Sequence, residues 1–465
     1  MSNLINALLT KDKLTENGAV THSTSSNYCL DLFFLAGACR NETEQTIQRK
    51  IAQAYTQDRV TALKIIFWAG DIRQGAGERR FFKIALQWLL KNHKQDLIQY
   101  INYIPLLSRW DVLFELNDPF VLDYICSKLT YTEQNKPDAL LCKWLPRKNQ
   151  YKGLANKIQK KMRLTPKQYR KFIVEHTKVV EQQMFAKQWS EIEYSHIPSV
   201  AINKYNKAWY RNDKERFEKY IEDVKNNKNK INASVIYPHN ILAKAKVYYG
   251  KYEFNDALVA QWNNLPNYMQ ESNTSILPVC DVSGSMYGTP LQISLGLGLY
   301  LSERNKGQFK DAFITFSERP ELQYLKGSIQ ERVDQLAHSD WGMNTNIQSV
   351  FSLILNKAID HKLTQEDLPN TVLIISDMEF DDCGEDTNLE AIKYQYSTYG
   401  YKTPNLVFWN VNGRADNVPI KQHETGTCLI SGASPHIIKA VLTNNIDPIG
   451  IMNNVITNER YSFID

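Results

Sequence analysis

Near Ser272 the hydrophobic rhythm of the chain changes, and that change constrains the fold more than any other feature. Downstream, SILPVC, DAFITF, NTVLIIS, PNLVFWNV and GTCLISG are short apolar runs of strand length bounded by turn residues. They alternate with the helical stretches LQISLGLGLYLSERNK, NIQSVFSLILNKAI and LEAIKYQYSTYG. Parallel strands need long crossovers, and helical crossovers cover both faces of the sheet, so strands can be apolar throughout. The alternation therefore predicts an α/β, doubly wound, Rossmann-like domain over residues 271–465, its boundary falling between Gly250 and Ile276.

Upstream the pattern is helical almost throughout, with apolar residues at spacings of three and four and few Pro or Gly breaks. TALKIIFWAGDIRQGAGERRFFKIALQWLL reads as two helices joined by a Gly-rich elbow at Gly70 to Gly77. Thr165 before Pro166, Pro198 before Ser199 and Asp213 before Lys214 mark helix starts. Paired helices with short links suggest an all-α helical-repeat region of HEAT type over residues 1–270, one that could close into a ring; no sequence period accompanies the helix density.

A soluble chain of 465 residues exceeds what one hydrophobic core supports, which agrees with a multidomain reading. No apolar run approaches a membrane span, and MSNLINALLTKDKL lacks the basic and small-residue marks of a secretory signal, so a cytoplasmic monomer without membrane attachment is expected. The seven cysteines, Cys29, Cys39, Cys126, Cys142, Cys280, Cys383 and Cys428, are scattered with no C-x-x-C pair and read as buried free thiols. The net charge of +5 hides an asymmetry: Met1 to Gln270 carries 41 Lys and Arg against 26 Asp and Glu, whereas Glu271 to Asp465 carries 14 against 24.

In an open parallel sheet, ligands bind beyond the carboxyl ends of the strands. Asp281, Ser283 and Ser285 form D-x-S-x-S directly after ILPVC, Thr345 sits in the loop GMNTN before a helix, and Asp377 follows TVLIIS. Hydroxyl and carboxylate oxygens from three loops make a hard donor set suited to Mg²⁺, or to Mn²⁺ or Ca²⁺. With few charged direct ligands the ion stays electrophilic and can take a carboxylate or phosphate oxygen from a partner. The competing reading of D-x-S-x-S is a loop whose serines cap the next helix.

This order of elements, and DVSGSM in particular, resembles the metal-ion-dependent adhesion site (MIDAS) of von Willebrand A domains. The resemblance covers roughly Ile276 to Ser431. It implies Asp281, Ser283 and Ser285 in the first loop, Thr345 in the second and Asp377 in the third as the metal-binding set.

Lys143 to Lys230 holds 22 Lys and Arg against 9 Asp and Glu, interleaved with Trp144, Tyr151, Tyr169, Phe172, Trp189, Tyr194, Tyr205, Trp209 and Tyr210. Cations that neutralise phosphates beside aromatics that stack on bases describe an RNA-binding face; a solvated helical surface over an aromatic core fits the same pattern. KWLPRK, RLTPKQYRKFI and VVEQQMFAKQWSEIEYSHIPSVAINKYNKAW, followed by the A-type domain, resemble the Ro (TROVE) ribonucleoproteins. GDIRQGAGERRFF, RWDVLF, SDMEF and LVFWNV resemble more closely an uncharacterised Ro-like family from phages, bacteria, large viruses and plants. That resemblance implies binding of small structured RNAs or single-stranded 3′ ends, largely through phosphates. The basic surface expected to do so comprises Lys143, Arg147, Lys148, Lys152, Lys160, Lys161, Arg163, Lys167, Arg170 and Lys171.

Arg73, Arg79, Arg80, Arg109 and Asp111 are secondary candidates. R-Q-G-A-G-E-R lacks the Lys and Ser/Thr of a phosphate loop, and a tight helix elbow locked by an Arg–Asp pair is the preferred reading. Glu379, Asp381, Asp382, Glu385 and Asp386 form a second acidic set that, with Asp281, could hold two metals for phosphodiester cleavage; a solvated acidic loop is the other reading. His196, His239, His423 and His436 lack metal-ligand spacing. The expectation is a non-catalytic RNA-binding protein with a Mg²⁺-dependent ligand site. A metal-dependent protein-binding adaptor that grips an acidic side chain is the first alternative, and a metal-dependent nuclease the second.

Overall fold

The structure is a computed structural model. It describes residues 12–130, 136–147, 151–177, 179–233, 235–248, 251–316, 320–339, 345–381, 388–442 and 446–465. The chain forms two compact units, one of residues 1–81 with 233–465, the other of residues 82–232.

The first unit is built on a six-stranded sheet of β5 (Ile276–Cys280), β6 (Ala312–Thr315), β7 (Leu322–Tyr324), β8 (Thr371–Ser376), β9 (Asn405–Asn410) and β10 (Thr427–Ser431). Their spatial order is β10-β9-β8-β5-β6-β7, parallel except for β7, which runs antiparallel along the edge of β6. This is a doubly wound sheet whose order reverses between β5 and β8, and a cleft opens beyond the strand ends at such a reversal. Every residue of β5, β6, β8 and β10 is buried, as strands covered on both faces require.

Two glycines let the helix Thr289–Arg304 lie close to its neighbours. A Cβ on Gly298 would stand 2.1 Å from Cys280 Sγ, and one on Gly296 would stand 2.8 Å from His239 N. LGLGL is thus a helix face flattened on both sides for close packing, which justifies two weak helix formers in its interior.

The N-terminal segment belongs to this unit, and the expected division into residues 1–270 and 271–465 differs from the observed grouping. Asn410 Nδ2 donates to Phe34 O (3.1 Å), Ser431 Oγ donates to Phe33 O (2.7 Å) and accepts from Gly37 N (3.0 Å). These bonds seat the helix Tyr28–Ala36 on the ends of β9 and β10. A Cβ on Gly37 would lie 2.5 Å from Gly432 N, so the backbones touch there. The fully buried Asp71 accepts from Arg460 Nη2 (2.9 Å) and Tyr461 Oη (3.0 Å), which ties the end of the helix Arg59–Gly70 to the chain's last residues. Nor is the first half wholly helical: β1 (Asp12–Leu14) pairs antiparallel with β2 (Val20–His22), and β3 (Lys246–Tyr248) with β4 (Lys251–Glu253).

The unit of residues 82–232 is helical. Lys152–Lys161, Pro166–His176 and Lys214–Lys225 are its clearest helices on the basic stretch. Thr165 forms a full capping box with Gln168, as its place before Pro166 predicts. The segment from Pro166 to Phe185 holds two helices, Pro166–His176 and Val180–Phe185. Buried Tyr194 and Trp209 anchor an aromatic core with Phe217 and Tyr220, Tyr194 meeting Trp209 edge-on at 5.7 Å and stacking on Tyr220 at 5.4 Å. Six cysteines are free and buried; Cys383 lies outside the described residues.

Candidate functional sites

The loops after β5 and β8 meet at the reversal of strand order. Asp281 is fully buried; its Oδ1 accepts from Ser283 N (2.9 Å) and its Oδ2 from Ser376 Oγ (2.5 Å). Ser376 Oγ in turn accepts from Met378 N (3.0 Å), which holds Met378 in the left-handed region (φ 69°) and turns the chain sharply after Asp377. Ser283 and Ser285 hydroxyls lie 3.0 Å apart, and Ser285 acts on Asp377 to lower its proton affinity. Asp281, Ser283 and Ser285 are therefore linked by hydrogen bonds, with Ser376 as an addition, and Asp377 joins them electrostatically through Asp281. Ser285 is exposed, so solvent reaches the cluster from that side.

Burial pushes both carboxyls above their ordinary range. Asp377 rises to about 6, from burial first and the neighbouring Asp281 second; Asp281 is raised by burial. Arg414 feels the charge of Asp377, but its guanidinium is paired with Glu16. A pair of buried carboxyls close enough to raise one another, with hydroxyl oxygens beside them, has the charge and donor chemistry that suit a hard divalent ion.

Thr345 sits one step away. Its hydroxyl donates to Glu379 O (2.8 Å), lies 3.2 Å from Asp381 Oδ1 and accepts from Asn17 Nδ2 (3.3 Å). A hydroxyl has one proton and two lone pairs, so one lone pair is left to face an ion. Asp381 links this group to the first, since its charge adds to the rise of Asp281. Asp381 also accepts from Thr345 N (2.7 Å), and Glu379 accepts from Glu16 N (2.8 Å) and Asn417 Nδ2 (3.0 Å). Both carboxylates are thus committed to holding loops, while Asp382, Glu385 and Asp386 lie outside the described residues. Asn17 was not singled out by the sequence reading, although Asn17-Gly18 between alternating residues is a hairpin signal.

On the helical unit, Arg147, Lys152, Lys160, Lys161, Arg163, Lys167, Arg170 and Lys171 are exposed and Lys143 is half-buried; Lys148 lies outside the described residues. Lys161 pairs with Asp123, and Lys171 lies 3.4 Å from Glu175. Among the described residues no ion pair engages Lys152, Lys160, Arg163, Lys167 or Arg170. Tyr169, Tyr194 and Trp209 are buried and unavailable for base stacking, a correction to the sequence expectation that follows from their place in the core. Phe185, by contrast, is 94 % exposed beside Lys187, and sequence reasoning missed it because one Phe in VVEQQMF gives no sign of its direction.

The secondary candidates are structural. Ala76 N donates to Trp68 O (3.1 Å) and Glu78 N to Ala69 O (2.8 Å), so the Gly-rich elbow turns these amides back on its own helix. Arg80 donates to Cys39 O and Glu42 O; Arg109 pairs with Asp111 at 2.7 Å and lies 3.6 Å over the Trp144 ring. Arg73 and Arg79 flank the elbow. Burial lowers the pKa of His239 to about 3, so it is neutral, and no group of His, Cys, Asp and Glu among the described residues has metal-binding geometry by itself.

Comparison with known proteins divides the chain near the change of rhythm. A family model described as "Domain of unknown function (DUF2828)" matches residues 15–109 and 120–274, more than half of the chain. The chain belongs to the DUF2828 family. A second model, "Domain of unknown function (DUF7788)", matches residues 275–457 of this DUF2828 member, the part that holds the sheet. An uncharacterized protein of Acanthamoeba polyphaga mimivirus is 28 % identical, over 95 % of this chain and 86 % of its own length, which agrees with the expected resemblance to a family present in large viruses. The crystal structure of the Deinococcus radiodurans Ro (RSR) protein aligns with a TM-score of 0.38 and 14 % identity, covering 95 % of this chain and all of that one. No helix among the described residues is long and apolar enough to cross a membrane.

Proposed function

We propose that this protein is a non-catalytic, Ro-like RNA-binding protein whose helical unit holds RNA, and whose sheet unit is a von Willebrand A-type domain with a Mg²⁺-dependent ligand site. The observation that carries the RNA reading is where the charge lies. Residues 82–232 hold 28 Lys and Arg against 16 Asp and Glu, while the rest of the chain holds 27 against 34. Within that unit the helices Lys152–Lys161 and Pro166–His176 carry a run of exposed cations, and Lys152, Lys160, Lys167 and Arg170 have no acidic partner among the described residues. Such a surface binds phosphates and releases their counterions.

In the sheet unit, Asp281, Ser283, Ser285 and Asp377, with Thr345 beside them, would hold the ion. A bound Mg²⁺ would supply an electrophilic open position for a carboxylate or phosphate oxygen. Ser376 holds the Asp281 carboxyl through its hydroxyl and also accepts from Met378 N, so one side chain ties the two loops that would carry the ion. A two-metal nuclease needs free bridging carboxylates, and Glu379 and Asp381 are spent on hydrogen bonds, so cleavage is not part of this proposal. One observation favours the second reading, a protein-binding adaptor: Tyr287, next to the first loop, is 88 % exposed and would suit a protein partner that offers an acidic side chain to the ion.

The test is charge reversal. A variant carrying Lys167→Glu, Arg170→Glu and Lys171→Glu should bind a structured RNA with a single-stranded 3′ tail at least tenfold more weakly, with an unchanged circular dichroism spectrum. Equal binding by variant and wild type would remove this surface from the account.

A further inference from the structure

We infer that the N-terminal hairpin β1–β2 is a working part of the metal site, and that Asn17 at its tip is a positioning residue that sets the Thr345 hydroxyl for the ion. This rests on the metal reading above and extends it to a segment more than 250 residues away in sequence.

The hairpin is closed by its own loop. Thr15 N donates to Ala19 O (2.9 Å), Ala19 N donates to Thr15 Oγ1 (3.0 Å), and Gly18 takes φ 94°, a left-handed conformation in which glycine carries no steric cost. The loop is then fastened to the segment after β8 at successive points. Thr15 Oγ1 donates to Phe380 O (2.5 Å), Glu16 N donates to the Glu379 carboxylate (2.8 Å), and Gly18 bridges Asp381. Arg414 closes the rim, pairing with Glu16 and lying 3.9 Å from Glu379. On the far side Thr21 Oγ1 is 2.8 Å from Asn417 Oδ1.

What makes this more than an anchored terminus is the target of Asn17. Its amide donates both to Glu379 O (2.8 Å) and to Thr345 Oγ1 (3.3 Å), and Thr345 gives its own proton to the same Glu379 carbonyl (2.8 Å). Asn17 therefore consumes one lone pair of the threonine hydroxyl and fixes the direction of the other. Among the described residues Thr345 makes no hydrogen bond to Asp281, Ser283 or Ser285, so its direction depends on these outer contacts. Residues outside the ligand shell that orient a ligand commonly govern ion affinity. Linkage is reciprocal, so a cation that selects the oriented Thr345 must also favour the docked hairpin.

The experiment is calorimetric titration of the full chain with Mn²⁺, joined to hydrogen exchange at residues 15–22. Asn17→Ala is expected to weaken Mn²⁺ binding about tenfold, whereas in a Thr345→Val background the same change should have almost no further effect, because Asn17 acts through that hydroxyl. Exchange at 15–22 should slow on adding Mn²⁺ to the wild type and not to Asp281→Ala. Asn17→Ser, which keeps a turn-forming residue but is too short to reach, serves if the alanine variant misfolds. Mn²⁺ affinity within twofold of wild type in a folded Asn17 variant, or an equal loss in the Thr345→Val background, would overturn the inference. A wild type that binds no Mn²⁺ would instead overturn the metal reading on which it rests.

Discussion

Replacing Asp377 by Asn should stabilise the metal-free protein and abolish its response to metal. Asp377 is 4 % exposed and its pKa is raised from 3.8 to about 6, first by burial and then by Asp281. At 1.36 kcal/mol for each tenfold change in proton affinity, ionising it in the fold rather than in the unfolded chain costs on the order of 3 kcal/mol. Because the folded pKa is the higher one, the cost is absent below pH 3.8, grows as pH rises towards 6 and is complete above it. Asn removes the charge, keeps an oxygen for Ser285 and offers an N–H towards Asp281. In chelator at pH 7.5 the variant should melt roughly 4–5 °C above wild type, and the gap should close near pH 4. In Mg²⁺ at about a thousand times its dissociation constant the order reverses: wild type gains about 4.1 kcal/mol and the variant gains nothing. Differential scanning calorimetry over this pH range, with chelator and with Mg²⁺, reads all of these. A variant less stable than wild type in chelator at pH 7.5, or a gap that does not change with pH, would refute the view that these carboxyls await a cation.

The remaining predictions concern the frame that carries the site. Arg460→Ala leaves the fully buried Asp71 without its guanidinium and should cost about 3–5 kcal/mol in urea denaturation; a loss under 1 kcal/mol would mean the pair is incidental. Gly298→Ala gains helix propensity but places a methyl 2.1 Å from Cys280 Sγ, so it should destabilise by about 1–3 kcal/mol, and adding Cys280→Ala should recover most of the loss. Additive losses in that double mutant would show that the clash is relieved elsewhere.

Much of the sheet and the two loops that follow β5 and β8 could be read from the sequence because their signals are local. ILPVC, TVLIIS and TCLIS have unbroken apolar interiors and are buried throughout, as strands covered on both faces are, and Asp281 and Asp377 stand directly after two of them. The edge strand Leu322–Tyr324 has an exposed-intermediate-exposed pattern and offered no such run. The place of residues 12–81 on the sheet unit was not legible either. It rests on Phe33, Phe34 and Gly37 meeting Ser431, Asn410 and Gly432, contacts nearly 400 residues apart in sequence that leave no periodic trace. Asn17 escaped notice for the same reason: its meaning lies in Thr345. Charge was legible as a total but not as a surface, since a residue's number along a helix does not say which cations the aromatic core leaves outside.

The basic helical unit is proposed to bind RNA without cutting it. Filter binding of a labelled structured RNA with a single-stranded 3′ tail, at 50 to 200 mM salt with and without Mg²⁺, tests it directly. If Lys152, Lys160, Arg163, Lys167, Arg170 and Lys171 each neutralise a phosphate, affinity should fall roughly 300- to 2,000-fold over that range, the lower figure for contacts to the single strand, while the RNA stays full-length. No binding at 50 mM salt, or RNA shortened in the presence of Mg²⁺, would contradict the account.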